Sequence, residues 1–226
     1  MSSFDFCIET KQDLINAVET FGFLPLFTNS VPGFSVEEHV APIAWFDSGV
    51  DGVWEWKGPV IRETGCAYGK FFEKKAAFIS RAWFPDFANY RRNGYDFDAR
   101  YDDGLAEWRD KQLYDLLEQN APILTGDLKS KGDYRKGGKK GFDTIINRLQ
   151  AQCYVVISDF AYLKDKYGNQ YGWGVAEYST PEKALGSAFT EHVYARSPEE
   201  SYQRVLEHLK SILPDAGEKA LKRFLK

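Results

Sequence analysis

The chain has 226 residues, with 29 Lys+Arg against 33 Asp+Glu and a net charge of −4. Its 43% hydrophobic and 27% charged residues are a globular composition, which excludes a disordered chain and a globally basic nucleic-acid coat. Aromatic residues reach 16%, enough to fill a core and to line a pocket as well.

Thr10 is a predicted N-cap for a helix with apolar positions Leu14, Ile15, Val18 and Phe21, stopped by Gly22. Phe23-Leu-Pro-Leu-Phe27 reads as a short buried segment. Ser35 and Glu38 form a capping-box pair opening a second helix to about Ala41. A connection containing Asp47-Ser-Gly and Asp51-Gly follows. Trp54 and Trp56 are two apart and are expected on one face of a strand that Lys57-Gly-Pro59 ends. Tyr68–Phe72 and Ala76–Ser80 are short apolar runs, and Pro85 is expected in a turn. Asp96 to Gly104 lacks the closing Glu and the central Gly of a calcium loop, so a solvated loop is expected.

From Asp110 the pattern sharpens. A helix carries Leu113, Leu116 and Leu117 and ends before Pro122; Thr125 opens a short second helix with Leu128. A third has Phe142, Ile145, Ile146 and Leu149 at helical spacing. Cys153–Tyr162 and Tyr171–Tyr178, joined by the turn Asp165-Lys-Tyr-Gly-Asn169, read as a hairpin. Three helices and a hairpin wing are the order of a winged helix. Ser197-Pro-Glu-Glu200 then starts a helix with Tyr202, Val205, Leu206 and Leu209, and a last helix bears Leu221 and Phe224. The expected architecture is α+β, with a winged helix at 109–182 embedded in a compact mixed body. An aromatic-rich region, 1–108, and a helical segment, 183–226, flank it.

The functional signal is local charge. Lys129, Lys131, Arg135, Lys136, Lys139 and Lys140 stand against one acid, Asp133, in a chain that is negative overall. Gly137, Gly138 and Gly141 leave backbone N–H groups accessible just before the third helix, a combination suited to phosphate. Arg135, Lys136, Lys139, Lys140, Asn147 and Arg148 are therefore the candidate nucleic-acid contacts, and the bland reading is a solvated loop. Trp54, Trp56 and Tyr68, with Lys70 and Lys75 among them, are the candidate pocket that stacks a base; the bland reading is core. Gln150 and Gln152 are i and i+2 on a helix, do not face each other, and read as polar residues closing it.

Cys7, Cys66 and Cys153 show no C-x-x-C, and His39, His192 and His208 are scattered. Reduced thiols, no metal and no cofactor are expected. No apolar run approaches the roughly 18 residues of a membrane span. The N-terminus lacks the basic and apolar regions of a secretory signal, so a cytoplasmic location is expected.

Four segments share an order with a known group: Phe71-Phe-Glu-Lys-Lys-Ala-Ala77, Leu116-Leu-Glu-Gln-Asn-Ala-Pro-Ile-Leu-Thr125, Phe142 to Val156, and Tyr178-Ser-Thr-Pro181. Together they resemble the winged-helix DNA glycosylases of the AlkZ/YcaQ type, at the level of pattern over half the chain. Where that group has His-Glu, this sequence has Lys74-Lys75. Its catalytic Gln-x-Gln or Gln-x-Asp has no counterpart before residue 60. The resemblance implies a winged-helix protein that binds duplex DNA, is related to repair glycosylases and lacks their catalytic motif. Two alternatives stand beside it. One is an active glycosylase in which Glu55, Glu63 or Asp86 activates water at an extruded base. The other is a module for protein contacts or a small ligand.

Overall fold

The computed structural model describes residues 6–46, 51–164, 166–168 and 170–226. The Asp47-Ser-Gly connection and the turn residues Asp165 and Asn169 lie outside them. The elements run α1 (Lys11–Phe21), β1 (Phe23–Pro25), α2 (Val36–His39), α3 (Pro42–Phe46), α4 (Val53–Thr64), β2 (Ala67–Phe72), β3 (Lys75–Ile79), α5 (Phe84–Arg92) and α6 (Phe97–Asp102). There follow α7 (Trp108–Asn120), β4 (Ile123–Leu124), α8 (Thr125–Lys131), α9 (Phe142–Ala151), β5 (Val156–Lys164) and β6 (Gln170–Ser179). The chain ends in α10 (Pro181–Leu185), α11 (Ser187–Thr190), α12 (Pro198–Ile212) and α13 (Glu218–Phe224).

The strands form one antiparallel mixed-origin sheet in the order β1-β3-β2-β5-β6-β4. Alternation along each strand sends side chains to two opposite cores. Tyr68, Phe78 and Ile157 join Leu14, Val60, Leu113 and Leu149 on one face, under α1, α4, α7 and α9. Ala67, Ala77, Ile79 and Val156 join Phe87, Val205 and Phe224 on the other, under α5, α12 and α13. Strands from residues 1–108 and from 109–182 thus belong to one sheet.

The capped helices form where their local signals stand. Thr10 and Asp13 close a capping box on α1, and Ser197 and Glu200 do the same on α12. The three predicted helices and the hairpin are α7, α8, α9 and β5–β6. Phe142, Ile145, Ile146 and Leu149 are buried against Leu113 and Leu117, with Leu116 half-buried. The unforeseen β4 pairs Ile123 with Tyr178 and Leu124 with Glu177, adding a strand outside the hairpin.

Three expectations are corrected. Trp54 and Trp56 lie on a helix, α4, so their side chains diverge instead of sharing a face. Gly52 N–H donates to the Glu55 carboxylate at 2.9 Å, capping α4, and Pro59 is carried inside it. Residues 97–102, expected as loop, are α6: Asp96 accepts from Ala99 N–H at 2.8 Å, the ordinary N-cap bond. Pro85 sits in the first turn of α5, where a missing N–H costs nothing.

Candidate nucleic-acid interface

The basic loop connects α8 to α9 and has a definite shape. Tyr134 N–H returns to Lys129 O at 2.7 Å, Gly138 N–H to Arg135 O at 2.8 Å and Lys139 N–H to Asp133 O at 2.6 Å. A Cβ on Gly138 would lie 2.2 Å from Asp133 O, so the return of the chain requires glycine there. The Tyr134 ring packs edge-on to Phe142, 5.4 Å between centroids, and anchors the loop to α9.

This frame leaves charge outside. Lys131, Arg135, Lys136, Lys139 and Lys140 are exposed. Arg135 donates to Gly126 O at 3.3 Å. Lys129 is engaged, at 3.3 Å from Asp143 and 4.7 Å above the Phe142 ring. Among the described residues, Lys131, Lys136, Lys139 and Lys140 have no ion-pair partner. Gly141, at φ 95°, is the N-cap of α9 and supplies no side-chain cap. Among the described residues no side chain caps the first-turn N–H groups of that helix, whose positive end favours an anion and already carries Asp143. A cavity of about 160 Å³ opens at the foot of the loop between Gln112, Lys131, Gly132, Tyr134 and Lys139.

Two residues further along α9 differ from this picture. Asn147 is half-buried. Arg148 donates to Glu107 at 2.7 Å and to the buried Asp110 at 2.6 Å, so its guanidinium ties α9 to the start of α7. Gln150 does more than close the helix: it is fully buried. Its amide oxygen accepts Lys70 N–H at 3.1 Å and its amide nitrogen donates to Ile146 O at 3.2 Å. It pins α9 to the backbone of β2.

The expected aromatic pocket is dispersed. Tyr68 is 3% exposed and packs on Phe78 and Phe160, at 4.7 and 5.7 Å, as core. Its burial raises the phenol above its ordinary value. Lys70 is half-buried on β2, and Lys75 is exposed and donates to Thr28 O at 2.5 Å. Trp54 and Trp56 remain half-buried. Trp54 donates to Trp45 O at 2.9 Å and stacks obliquely on the Trp45 ring at 5.4 Å.

The residue that sequence reading missed is Lys57. It lies 8% exposed, its ammonium 4.6 Å from the Trp54 ring centroid and 4.2 Å from that of Phe160. Burial pulls its pKa down from 10.5 to about 8, against the opposing pull of Glu55. The spacing of Trp54 and Lys57 would have placed them one helical turn apart had α4 been recognised as a helix.

The candidate carboxylates are engaged elsewhere: Glu55 caps α4, Glu63 pairs with Lys11, and buried Asp86 meets Arg196, Arg204 and Ser201. His39 bridges Phe6 O and Gly33 O, and His208 bonds Phe21 O and stacks on Trp83. Cys7, Cys66 and Cys153 are all free thiols, and burial pushes the last two up to about 12.

A family model described as AlkZ related matches residues 8–226. The chain belongs to the AlkZ-related family. No curated protein and no solved structure matches it. Within this AlkZ-related chain the resembling segments map onto the joints of the fold. Phe71–Ala77 spans the β2–β3 hairpin, whose turn residues Glu73 and Lys74 hold φ of 48° and 62°. Leu116–Thr125 runs from α7 through β4 to α8, and Tyr178–Pro181 joins β6 to α10.

Proposed function

We propose that this AlkZ-related chain is a winged-helix protein that binds duplex DNA in the cytoplasm, without the base-excising chemistry of the glycosylases. Its α7, α8 and α9 are the three helices, β5–β6 the wing, and α9 the helix presented to DNA. The observation that carries the reading is the set Lys131, Lys136, Lys139 and Lys140, exposed and without an ion-pair partner among the described residues, in the loop that leads from the end of α8 to the start of α9, which has no side-chain cap. Cations and open backbone N–H groups converging there suit phosphate oxygens. Arg135 supplies a further positive charge, and Asn147 lies one to two turns beyond. Arg148 acts as a brace between α7 and α9. Family membership supports the link to DNA, and the structural engagement of Glu55, Glu63 and Asp86 supports the absence of hydrolysis. No helix among the described residues is long and apolar enough to cross a membrane.

The test is a salt titration of duplex binding. Each lysine that neutralises a phosphate contributes a slope of about −0.9 in log affinity against log salt. Replacing Lys136, Lys139 and Lys140 together by Ala flattens the slope by up to about three. Thermal stability changes little, since exposed lysines contribute little to it. Equal slopes, or no binding by the unaltered protein at low salt, refute the reading and favour a protein-contact module.

A further inference from the structure

Trp108 differs from Trp45, Trp54, Trp56 and Trp83 in what covers it. Those four are half-buried, whereas Trp108, at the start of α7, is 61% exposed. Leu105, three residues earlier, is 49% exposed. Among the described residues the Trp108 indole N–H has no hydrogen-bond partner and its ring no aromatic neighbour. Arg109 beside it is exposed and has no ion-pair partner among them. A large ring left in water gains from any flat apolar surface that covers it.

The fold holds this indole beside the basic loop from two sides. Arg148 on α9 reaches Glu107 at 2.7 Å and Asp110 at 2.6 Å, so the residues that bracket Trp108 are tied to α9. The loop closes on the next turns of α7. Gln112, Leu113 and Leu116 line the cavity of about 160 Å³ together with Lys131, Gly132, Tyr134 and Lys139. Trp108 precedes Gln112 by four residues, which makes the two side chains neighbours on the helix surface. Burial holds the Tyr134 phenol above its ordinary value, and the charges of Arg109 and Asp110 also reach it. The indole thus stands at the rim of the cavity that Lys131 and Lys139 line.

We propose that Trp108 stacks on an unpaired base of DNA whose phosphates meet Arg109, Lys131 and Lys139, so that the chain recognises a duplex that continues into a single strand. This rests on the function proposed above and narrows its substrate. In an intact duplex each base is stacked on its neighbours and shows only its edges in the grooves, so an outlying indole finds no face to cover. An unpaired base has a free face, and every base has one, so the contact is tolerant of sequence. Cations along the backbone with an aromatic platform beside them are the pairing that a single strand requires. The adjoining acids, Glu107 and Asp110, are both held by Arg148, which leaves the Arg109 guanidinium to a phosphate.

Stacking of one base is worth roughly 5- to 150-fold in affinity, lost when the ring is replaced by alanine. The experiment measures the affinity of the whole protein, at one salt concentration, for two DNAs. One is a duplex with a short adenine extension; the other carries base-free tetrahydrofuran residues in place of the adenines. Both have the same phosphates, so the ratio of affinities reports the bases alone. The unaltered protein, Trp108→Ala and Trp108→Phe are compared, with thermal unfolding as the check on folding. The expected result is a preference of at least about fivefold for the base-bearing extension, falling to about one in W108A and largely kept in W108F. No preference in the unaltered protein overturns the proposal. So does a preference that survives in W108A, or a loss in W108A that is equal for both DNAs, which makes Trp108 a duplex contact. Where blunt duplex binds but the extension brings no preference, the function proposed above stands and the stacking fails alone. Where blunt duplex does not bind at low salt, that function has failed. A single strand of adenines against its base-free counterpart then decides the stacking: a W108-dependent preference sustains it, and equal affinities overturn it.

Discussion

Lys57→Met should make the protein more stable at pH 7, and the gain should vanish in alkali. The distance from 10.5 to about 8, at about 1.4 kcal/mol per pH unit, makes the buried ammonium cost about 3 kcal/mol. The ammonium lies 4.6 and 4.2 Å from the ring centroids of Trp54 and Phe160, and the substitution removes both contacts. Methionine is unbranched and of similar length, so it fills the same buried space without a charge. The gain is therefore about 3 kcal/mol, or roughly 6–12 °C in Tm for a chain of this size.

The pH dependence has a definite sign. Below about 8 Lys57 is charged in both folded and unfolded chains, so the penalty is fully present. Between about 8 and 10.5 the unfolded chain binds the proton and the folded one releases it, and stability rises with pH relative to K57M. Above 10.5 both are neutral and the penalty is gone. Glu55 on α4, with Asp159 and Tyr162 on β5, is present in both proteins. Urea unfolding of the pair at pH 7, 8, 9 and 10.5 measures it. A K57M protein less stable at pH 7, or a difference that is flat across that range, refutes the argument.

Arg148→Ala leaves Asp110 buried without its cation and should cost about 2–3 kcal/mol by urea unfolding, below the roughly 3–5 of a wholly buried pair. The salt slope of duplex binding should stay unchanged, because this guanidinium braces α7 and does not touch phosphate. Gln150→Ala removes the partner of the part-buried Lys70 N–H and should cost about 1–2 kcal/mol in the same assay. Lys74→Gly relieves a left-handed turn residue at φ 62° and should raise stability by up to about 1 kcal/mol, read as a higher urea midpoint at constant slope.

What was legible in the sequence was what is set locally. Thr10 and Ser197 announce their helices because a cap and its helix are neighbours in the chain, and the stripe of α9 repeats within ten residues. The basic loop was visible because charge needs no partner to be counted. α4 was hidden by Gly58-Pro59 and by a glycine, not a serine, at its cap. Its helical state is secured by Glu55 and by packing on β5. β4 is two residues long, too short for alternation to show, and exists because β6 offers it an edge. Lys57 and Arg148 could not be read as they are, because Phe160, Glu107 and Asp110 come to them only through tertiary contact. Tyr68 was misread for the same reason: Phe78 and Phe160 close over it.

The sheet is thinly sewn at its middle. Tyr68↔Ile157 is the register pair joining β2 to β5, and further along β2 its register with β3 shifts between Gly69 and Phe72. The reinforcement is reciprocal. α4, from the first half of the chain, lies on β5, while α9, from the second, lies on β2 and grips it through Gln150. Each half lends the other a helix, as two hands clasp by the opposite wrist. Amide hydrogen exchange would therefore report the two ladders as one protected unit only while both helices stay docked. Lifting either helix lets the halves breathe separately. Fragments severed between α6 and α7 would each lack the cover that the other carries, and would recover protection only on being mixed.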